Sequence, residues 1–553
     1  MAVVLGESWI PAINLPTLLG RLQHYSQHQF KSKTCTTLFQ PGTLVLLLLL
    51  VGVRLCTAWG PYSGYGNPPM YGDYEAQRHW MELTVNLPTA DWYSNTTRND
   101  LNYWGLDYPP LTAYHSYLLG QASALWEPES MVLLRSRGYE TPSHKGFMRF
   151  SVLLSDLMTL IPAVLLFYKS YYRYVHKGVQ AGLMVLTLTT PALVLIDYGH
   201  FQYNCVVLGF TLFAALSAIA GNLLLAAFLF TLALNYKTTA LYYALPFFVV
   251  LLKRSVQQAT AYSSRYRSTV RPMQQRFAAL VSELSALLFS LGAVTIAVTI
   301  VLWLPWLTQG GWGQVLSRLF PFERGLFEDK VANFWCVSSI VVKWKEGLGQ
   351  GPLALLCAVA TLVGTVPSLL CLWRRNPTSL HFLLALGNSA MSFFLFSYHV
   401  HEKAILLPLF PYLILTALEV PDLFPLLSAL SAFSLYPLLV KDGLRQAYFL
   451  LVPLHWALSA YLVKGIQTFL SPDKPLETLT RAFLAGAGLI HLLELLEPPA
   501  RLPYLFDTLV SAYAFVGFLG VWLYLNWKQW KVPDSDDLRT YVEPSFRHKP
   551  KFA

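Results

Sequence analysis

The feature that most limits how this chain can fold is a series of apolar runs, most of them near the length of a bilayer-crossing helix, joined by short polar connectors. They fall at 43–59, 151–167, 178–196, 205–220, 222–235, 238–252, 278–304, 352–372, 379–398, 404–418, 422–439, 446–463, 480–496 and 504–525. In hydrocarbon every backbone polar group must be satisfied inside its own segment, so runs of this composition are predicted to be helices. Charge is scarce throughout: 13 % of the 553 residues are charged and 54 % are hydrophobic. An average soluble domain carries about 25 % charged residues. The predicted fold is therefore an all-α polytopic membrane protein with about fourteen spans. An even count puts both ends on one side. The unit is expected to act as a monomer.

The charges sort by side. Lys169, Arg173 and Lys177 lie in one connector, and Arg374 and Arg375 in another. The segment 253–277 holds Lys253, Arg254, Arg265, Arg267, Arg271 and Arg276 and no acid. Such connectors mark the cytoplasmic face, together with a leader (1–40) and a tail (526–553) that carries Lys528 and Lys531. The net charge of +10 is thus a topology signal and gives no reason to expect nucleic-acid binding. Arg54 can snorkel from the end of the first run. The leader lacks the pattern of a cleaved signal peptide. The final five residues, 549–553, fit a dilysine-type retrieval signal, which is read on the cytoplasmic side. The same parity sends the long loops 60–147 and 306–350 and the short connectors 197–204 and 399–403 to the opposite, lumenal side. Asn95-Thr96-Thr97, a glycosylation sequon, agrees with that side. The cysteines at 35, 56, 205, 336, 357 and 371 have no metal-site or CxxC spacing and are read as buried free thiols. Two helices are predicted in the first long loop, one over about 74–87 and one opening at Pro109-Pro110, both amphipathic and lying along the interface.

Polar residues gather on the lumenal face in four places: Gly72 to Trp80, Trp104 to Pro110, Arg318 to Trp335, and His399 to Lys403. Ionisable groups at a membrane boundary are costly and usually functional. Carboxylates and cations on one surface suit glycosyl transfer from a lipid-linked phosphate sugar. A hydroxyl nucleophile needs a carboxylate to take its proton. A phosphate leaving group needs waiting cations. Asp73 is the candidate base, with an N-cap as its alternative role. Glu75 either joins it around a divalent cation or pairs with Arg78. His401 and Lys403, with Arg318, Arg324 and Lys330, are candidates for phosphate. Arg318, Arg324 and Lys330 would otherwise build their loop with Glu323, Glu328 and Asp329. His79, Trp80, Asp107, Tyr108, His200, Gln202 and Asn333 are candidates for acceptor contact or support. No cofactor is expected, and a metal stays open.

The stretches Tyr71 to Trp80, Leu106 to His115, Gly199 to Asn204, Arg318 to Cys336 and His399 to Pro408 closely resemble the endoplasmic-reticulum alpha-1,3-glucosyltransferases of asparagine-linked glycosylation, over about residues 45–525. The resemblance implies a type-C glycosyltransferase fold. It implies dolichyl phosphate glucose as donor and a dolichyl-diphosphate-linked oligosaccharide of nine mannoses as acceptor. It also implies that Asp73 is the base and that His401 lies at the donor phosphate. Gln77-Arg78-His79-Trp80 favours the enzyme that adds the first glucose over its sister that adds the second. A lipid-linked oligosaccharide transporter is the competing class; it would carry polar residues along a path through the bilayer instead of at one face.

Overall fold

The computed structural model describes residues 41–172, 175–265, 273–320, 325–327, 330–375, 378–467 and 474–534. The leader, the terminal dilysine-type sequence and the site candidates Arg324 and Asp329 lie outside the described residues. Two compact units are distinguished, Met1–Gly52 and Val53–Ala553. The described part of the first belongs to the Leu-rich helix Pro41–Ala58. The second holds the site.

Among the described residues the secondary structure is helical, apart from isolated bridges at Thr96–Asn99 and Phe327–Val400. Among the described residues eight helices are long and apolar enough to cross a membrane: Pro142–Tyr171, Thr238–Ser264, Met273–Gln309, Gln350–Arg374, Ser379–Phe396, Arg445–Lys464, Leu476–Leu493 and Leu505–Lys531. A ninth arises if Lys177–Leu188 and Pro191–Phe201, bent by 44° at Thr189-Thr190, form one span. The fourteen spans expected from sequence are therefore not all reached by length and composition. Asn204–Ile219 and Leu223–Tyr236 show why. They are 16 and 14 residues long, or about 24 and 21 Å against a hydrocarbon core of about 30 Å. They turn back on each other at Gly221, whose φ of +82° suits a residue without a Cβ. The two pack side by side.

The interior is organised on Ser379–Phe396, whose apolar window is 78 % buried. It packs against Gln350–Arg374, Leu406–Glu419 and Leu505–Lys531. Met273–Gln309 is the reverse case: its apolar window buries nothing and faces outward. It is anchored near one end by Trp306, which is buried among Trp92, Tyr93 and Tyr114 and donates its ring N–H to the Thr89 carbonyl at 3.0 Å.

The two helices expected in the first long loop are present, as Asp73–Asn86 and Pro110–Trp126. Pro110 occupies the first turn, where its missing N–H costs nothing. The first of them does not lie with one face wet, as amphipathic patterning suggested. Residues 74–84 are all buried, because its charged groups pair with one another inside the fold. Cys56 and Cys336 are free thiols, and Cys56 is exposed rather than buried.

Polar groups mark both ends of the helix set. At one end Lys253 donates to the carbonyls of Leu372, Trp373 and Arg375, and Arg375 meets Asp534 at 3.4 Å. These are the connectors whose basic residues were assigned to one side. The other end carries the Asp73 cluster.

Candidate active site

Asp73 is held by the backbone before it. Gly72 runs against Ser63 so closely that a Cβ would stand 2.5 Å from the Ser63 carbonyl carbon. The Asp73 amide donates to Ser63 Oγ at 3.2 Å. The N-cap of the helix is Gly72, with no side-chain cap. Asp73 is therefore the first helical residue and not a cap, and its carboxylate sits at the positive end of the helix.

The rest of the motif is scaffold. Arg78 grips Glu75 with two bonds of 2.7 and 2.6 Å, Glu82 at 2.7 Å, and Ser130 O and Ser136 Oγ at 2.8 Å each. Glu75 also accepts from Tyr103 OH at 2.9 Å, and His79 meets Glu82 at 3.3 Å. Trp80 donates to the Trp104 carbonyl at 2.8 Å. Glu75 thus takes the ion-pair role, and both of its oxygens are occupied away from a shared cation with Asp73. Among the described residues no group of three or more His, Cys, Asp or Glu could hold a metal ion.

The Asp73 carboxylate draws donors from widely separated segments. Lys403 Nζ lies 2.7 Å from Oδ2 and His200 Nε2 3.2 Å from it, and Gln202 Nε2 donates to the same oxygen. Oδ1 has no partner among the described residues, and the side chain keeps 23 % exposure. Burial on its own would raise the carboxyl, but Lys403, and after it His200, outweigh that and hold it well below the usual carboxylate range. Lys403 also stands 3.2 Å from His200 Nε2. Behind Gln202, Lys237 donates to Gln202 Oε1 at 3.1 Å and Asn204 Oδ1 at 2.7 Å. Its ammonium lies over the Tyr108 ring at 5.1 Å. Burial, followed by the Lys403 charge, pushes Lys237 down to about 8. The charges of Asp197, Asp73 and Asp107 oppose that shift.

Loops from distant parts of the chain meet beside this group. Phe327 bridges to Val400, and the His399 amide and ring bond to the carbonyls of Leu326 and Gly325 at 2.8 Å each. The His401 ring packs edge-on to His399, 5.0 Å away, and His401 opens the turn Glu402–Ile405 that carries Lys403. Arg318 donates to the carbonyls of Gly105 at 2.7 Å and Leu106 at 3.2 Å, joining the two long loops. Lys330 lies over the Tyr504 ring, and Asn333 caps Phe334–Ser338 through a bond to the Cys336 amide at 2.8 Å. Neither bonds to the Asp73 group. Four non-glycine residues with left-handed backbone flank the cluster: Tyr71 at φ 61°, Trp104 at 48°, Phe201 at 91° and His399 at 55°. Such residues persist where surrounding structure enforces them, typically at working sites. His200 itself rides on a wide helical turn, Leu195–Phe201, another form common at such sites.

Residues 43–525 match the family described as the ALG6, ALG8 glycosyltransferase family. The chain belongs to that family. Its relatives include a probable dolichyl pyrophosphate Man9GlcNAc2 alpha-1,3-glucosyltransferase of Dictyostelium discoideum, 39 % identical over 87 % of this chain and 94 % of the relative. The Drosophila melanogaster protein with the same printed name is 39 % identical over 88 % of this chain and 98 % of its own length. The Gallus gallus dolichyl pyrophosphate Man9GlcNAc2 alpha-1,3-glucosyltransferase is 39 % identical over 87 % and 95 %. As a family member the chain is a glycosyltransferase with a multi-pass membrane fold.

Two polar residues of the cluster escaped the sequence reading, Lys237 and Asp442; Asn204 stood in the stretch Gly199 to Asn204 without a role. Asp442 bonds to His200 Nδ1 at 2.6 Å. The signal that could have found them was topology. The parity that sent 197–204 and 399–403 to one face sends the connectors after 222–235 and after 422–439 there too. Lys237 and Asp442 stand in those connectors, isolated between apolar runs.

Proposed function

We propose that the chain transfers glucose from dolichyl phosphate glucose to the nine-mannose oligosaccharide on dolichyl diphosphate, at the lumenal face of the endoplasmic-reticulum membrane, with both termini cytoplasmic. The acceptor hydroxyl attacks the anomeric carbon from the face opposite the phosphate. Its proton passes to Asp73, the bond from carbon to phosphate oxygen breaks, and dolichyl phosphate leaves. Attack from the opposite face inverts the anomeric centre, turning a beta-linked donor into an alpha-1,3-linked product. The observation that carries this reading is Asp73 itself: an ionised, partly exposed carboxylate with Oδ2 crowded by donors and Oδ1 open. It stands beside a lysine able to leave it for a phosphate. Lys403 and His401 take the donor phosphate, and the helix Asp73–Asn86 holds the base. Alpha-1,3-glucose as product and the nine-mannose acceptor follow the printed names of the relatives.

Purified protein given synthetic dolichyl phosphate glucose tests the reading. It should glucosylate the nine-mannose acceptor and leave the monoglucosylated one unchanged. Transfer to the monoglucosylated acceptor alone would make it the second-glucose enzyme. No transfer to either, with movement of the lipid-linked oligosaccharide across vesicles, would make it a transporter.

A further inference from the structure

We infer that His200 and Asp442 form a proton sink behind Asp73: the proton taken from the acceptor hydroxyl ends on His200 Nε2, and Asp442 is a positioning residue that keeps His200 in the tautomer able to receive it. The inference rests on Asp73 being the base.

The three side chains form a chain through the two opposite nitrogens of one imidazole. Asp442 Oδ2 lies 2.6 Å from Nδ1, and Nε2 lies 3.2 Å from Asp73 Oδ2. A carboxylate can only accept, so Asp442 fixes the hydrogen of neutral His200 on Nδ1 and leaves a lone pair on Nε2. Asp73 keeps 23 % exposure, while His200 at 1 % and Asp442 at 4 % are buried behind it. The backbone that carries His200 is held at two points: Ser63 N donates to the His200 carbonyl at 3.0 Å, and Arg149 Nη2 to the Gly199 carbonyl at 2.8 Å. The charged groups facing His200 are Asp73, Lys403, Asp442 and, through that backbone contact, Arg149.

Stoichiometry creates the need for a sink. A hydroxyl and a phosphodiester monoanion become a glycoside and a phosphate monoester dianion, releasing one proton. While substrates cover Asp73, water cannot collect it. A proton left on Asp73 stands next to the new glycosidic oxygen, where it favours reversal. Lys403 lies 2.7 Å from Asp73 Oδ2 and 3.2 Å from His200 Nε2. Drawing Lys403 to the donor phosphate opens the carboxylate and the imidazole lone pair together. The acceptor proton binds the Asp73 carboxyl, a half-turn about Cβ–Cγ brings it to Nε2, and the imidazole becomes an imidazolium between two carboxylates. An imidazole, with an ordinary pKa of about 6.5, holds a proton better than a carboxyl of about 3.9, so the transfer runs downhill. The imidazolium releases the proton to solvent after product leaves.

Asp442→Asn and His200→Gln in the purified full-length enzyme test the sink. Each should lower kcat about 100-fold, with KM for donor and acceptor within about twofold of wild type. Asp442→Glu should restore most of the rate. Wild-type kcat in either folded variant overturns the inference. So does a fall in kcat with a matching rise in KM and no rescue by Glu, which is the signature of a structural clamp. If the variants do not fold, the wild-type enzyme decides: burial and the Lys403 charge lower the His200 imidazole, but Asp73 and Asp442 outweigh them and raise it above the ordinary histidine value, so kcat should fall as pH drops through one ionisation above that ordinary value, because a protonated His200 cannot receive. A kcat flat to pH 5 overturns the sink. The base assignment fails separately, on turnover by Asp73→Asn.

Discussion

A base that is already ion-paired is a poor base, and Asp73, the proposed base, begins in that state. Its Oδ2 meets Lys403 at 2.7 Å. The pairing keeps a partly buried carboxylate ionised, and it keeps a cation in reserve. A phosphodiester in the site offers Lys403 a second anion, and what Lys403 leaves behind is a carboxylate with one open oxygen. On the proposed mechanism the same side chain serves the leaving group and releases the base. Lys403→Gln should raise the donor KM about tenfold and lower kcat as well, because the phosphate loses a fixed cation where charge develops. Donor titrations of initial rate check it; an unchanged donor KM and kcat would remove Lys403 from the phosphate site. Sequence reading reached Asp73 and Lys403 as separate candidates. Their contact was not legible, since 330 residues separate them and no local pattern encodes a long-range ion pair.

At the scale of elements, the helix Asp73–Asn86 was legible in place but not in environment. Its boundaries fall within a residue of those expected, because the Gly72 stop and the helical periodicity are local. Its burial was not foreseen. Glu75, Arg78, His79 and Glu82 look like a wet face when counted along a helix, yet Arg78 is fully buried between Glu75 and Glu82. That network ties the base-bearing helix to the segment at Ser130 and Ser136. Removing one partner of a buried ion group leaves the others uncompensated. Arg78→Met should therefore cost about 3–5 kcal/mol of stability. Thermal unfolding in detergent with quantified fold yield checks it, and a Tm equal to wild type would show that the network is not structural. The same reasoning sets Lys330 and Asn333 apart from the chemistry: they were candidates by residue type, and their contacts are with Tyr504 and the Cys336 amide.

Over the whole molecule, the polar connectors between apolar runs were legible in the sequence, and several of them build the candidate site. The connectors at 197–204, 237, 399–403 and 442 contribute side chains to one hydrogen-bonded group around Asp73. Asn95 is exposed on the loop that carries that base. The number of spans was less legible: the helices Asn204–Ile219 and Leu223–Tyr236, of 16 and 14 residues, are shorter than the apolar helices long enough to cross a membrane. The central claim is that these far-apart segments exist to present one carboxylate to a sugar hydroxyl. It is tested most directly by single-turnover transfer from dolichyl phosphate glucose to the nine-mannose acceptor, comparing wild type with folded Asp73→Asn. The expected result is a loss of at least about 100-fold in the rate of glucose transfer with donor binding retained; transfer by Asp73→Asn at the wild-type rate would contradict the claim.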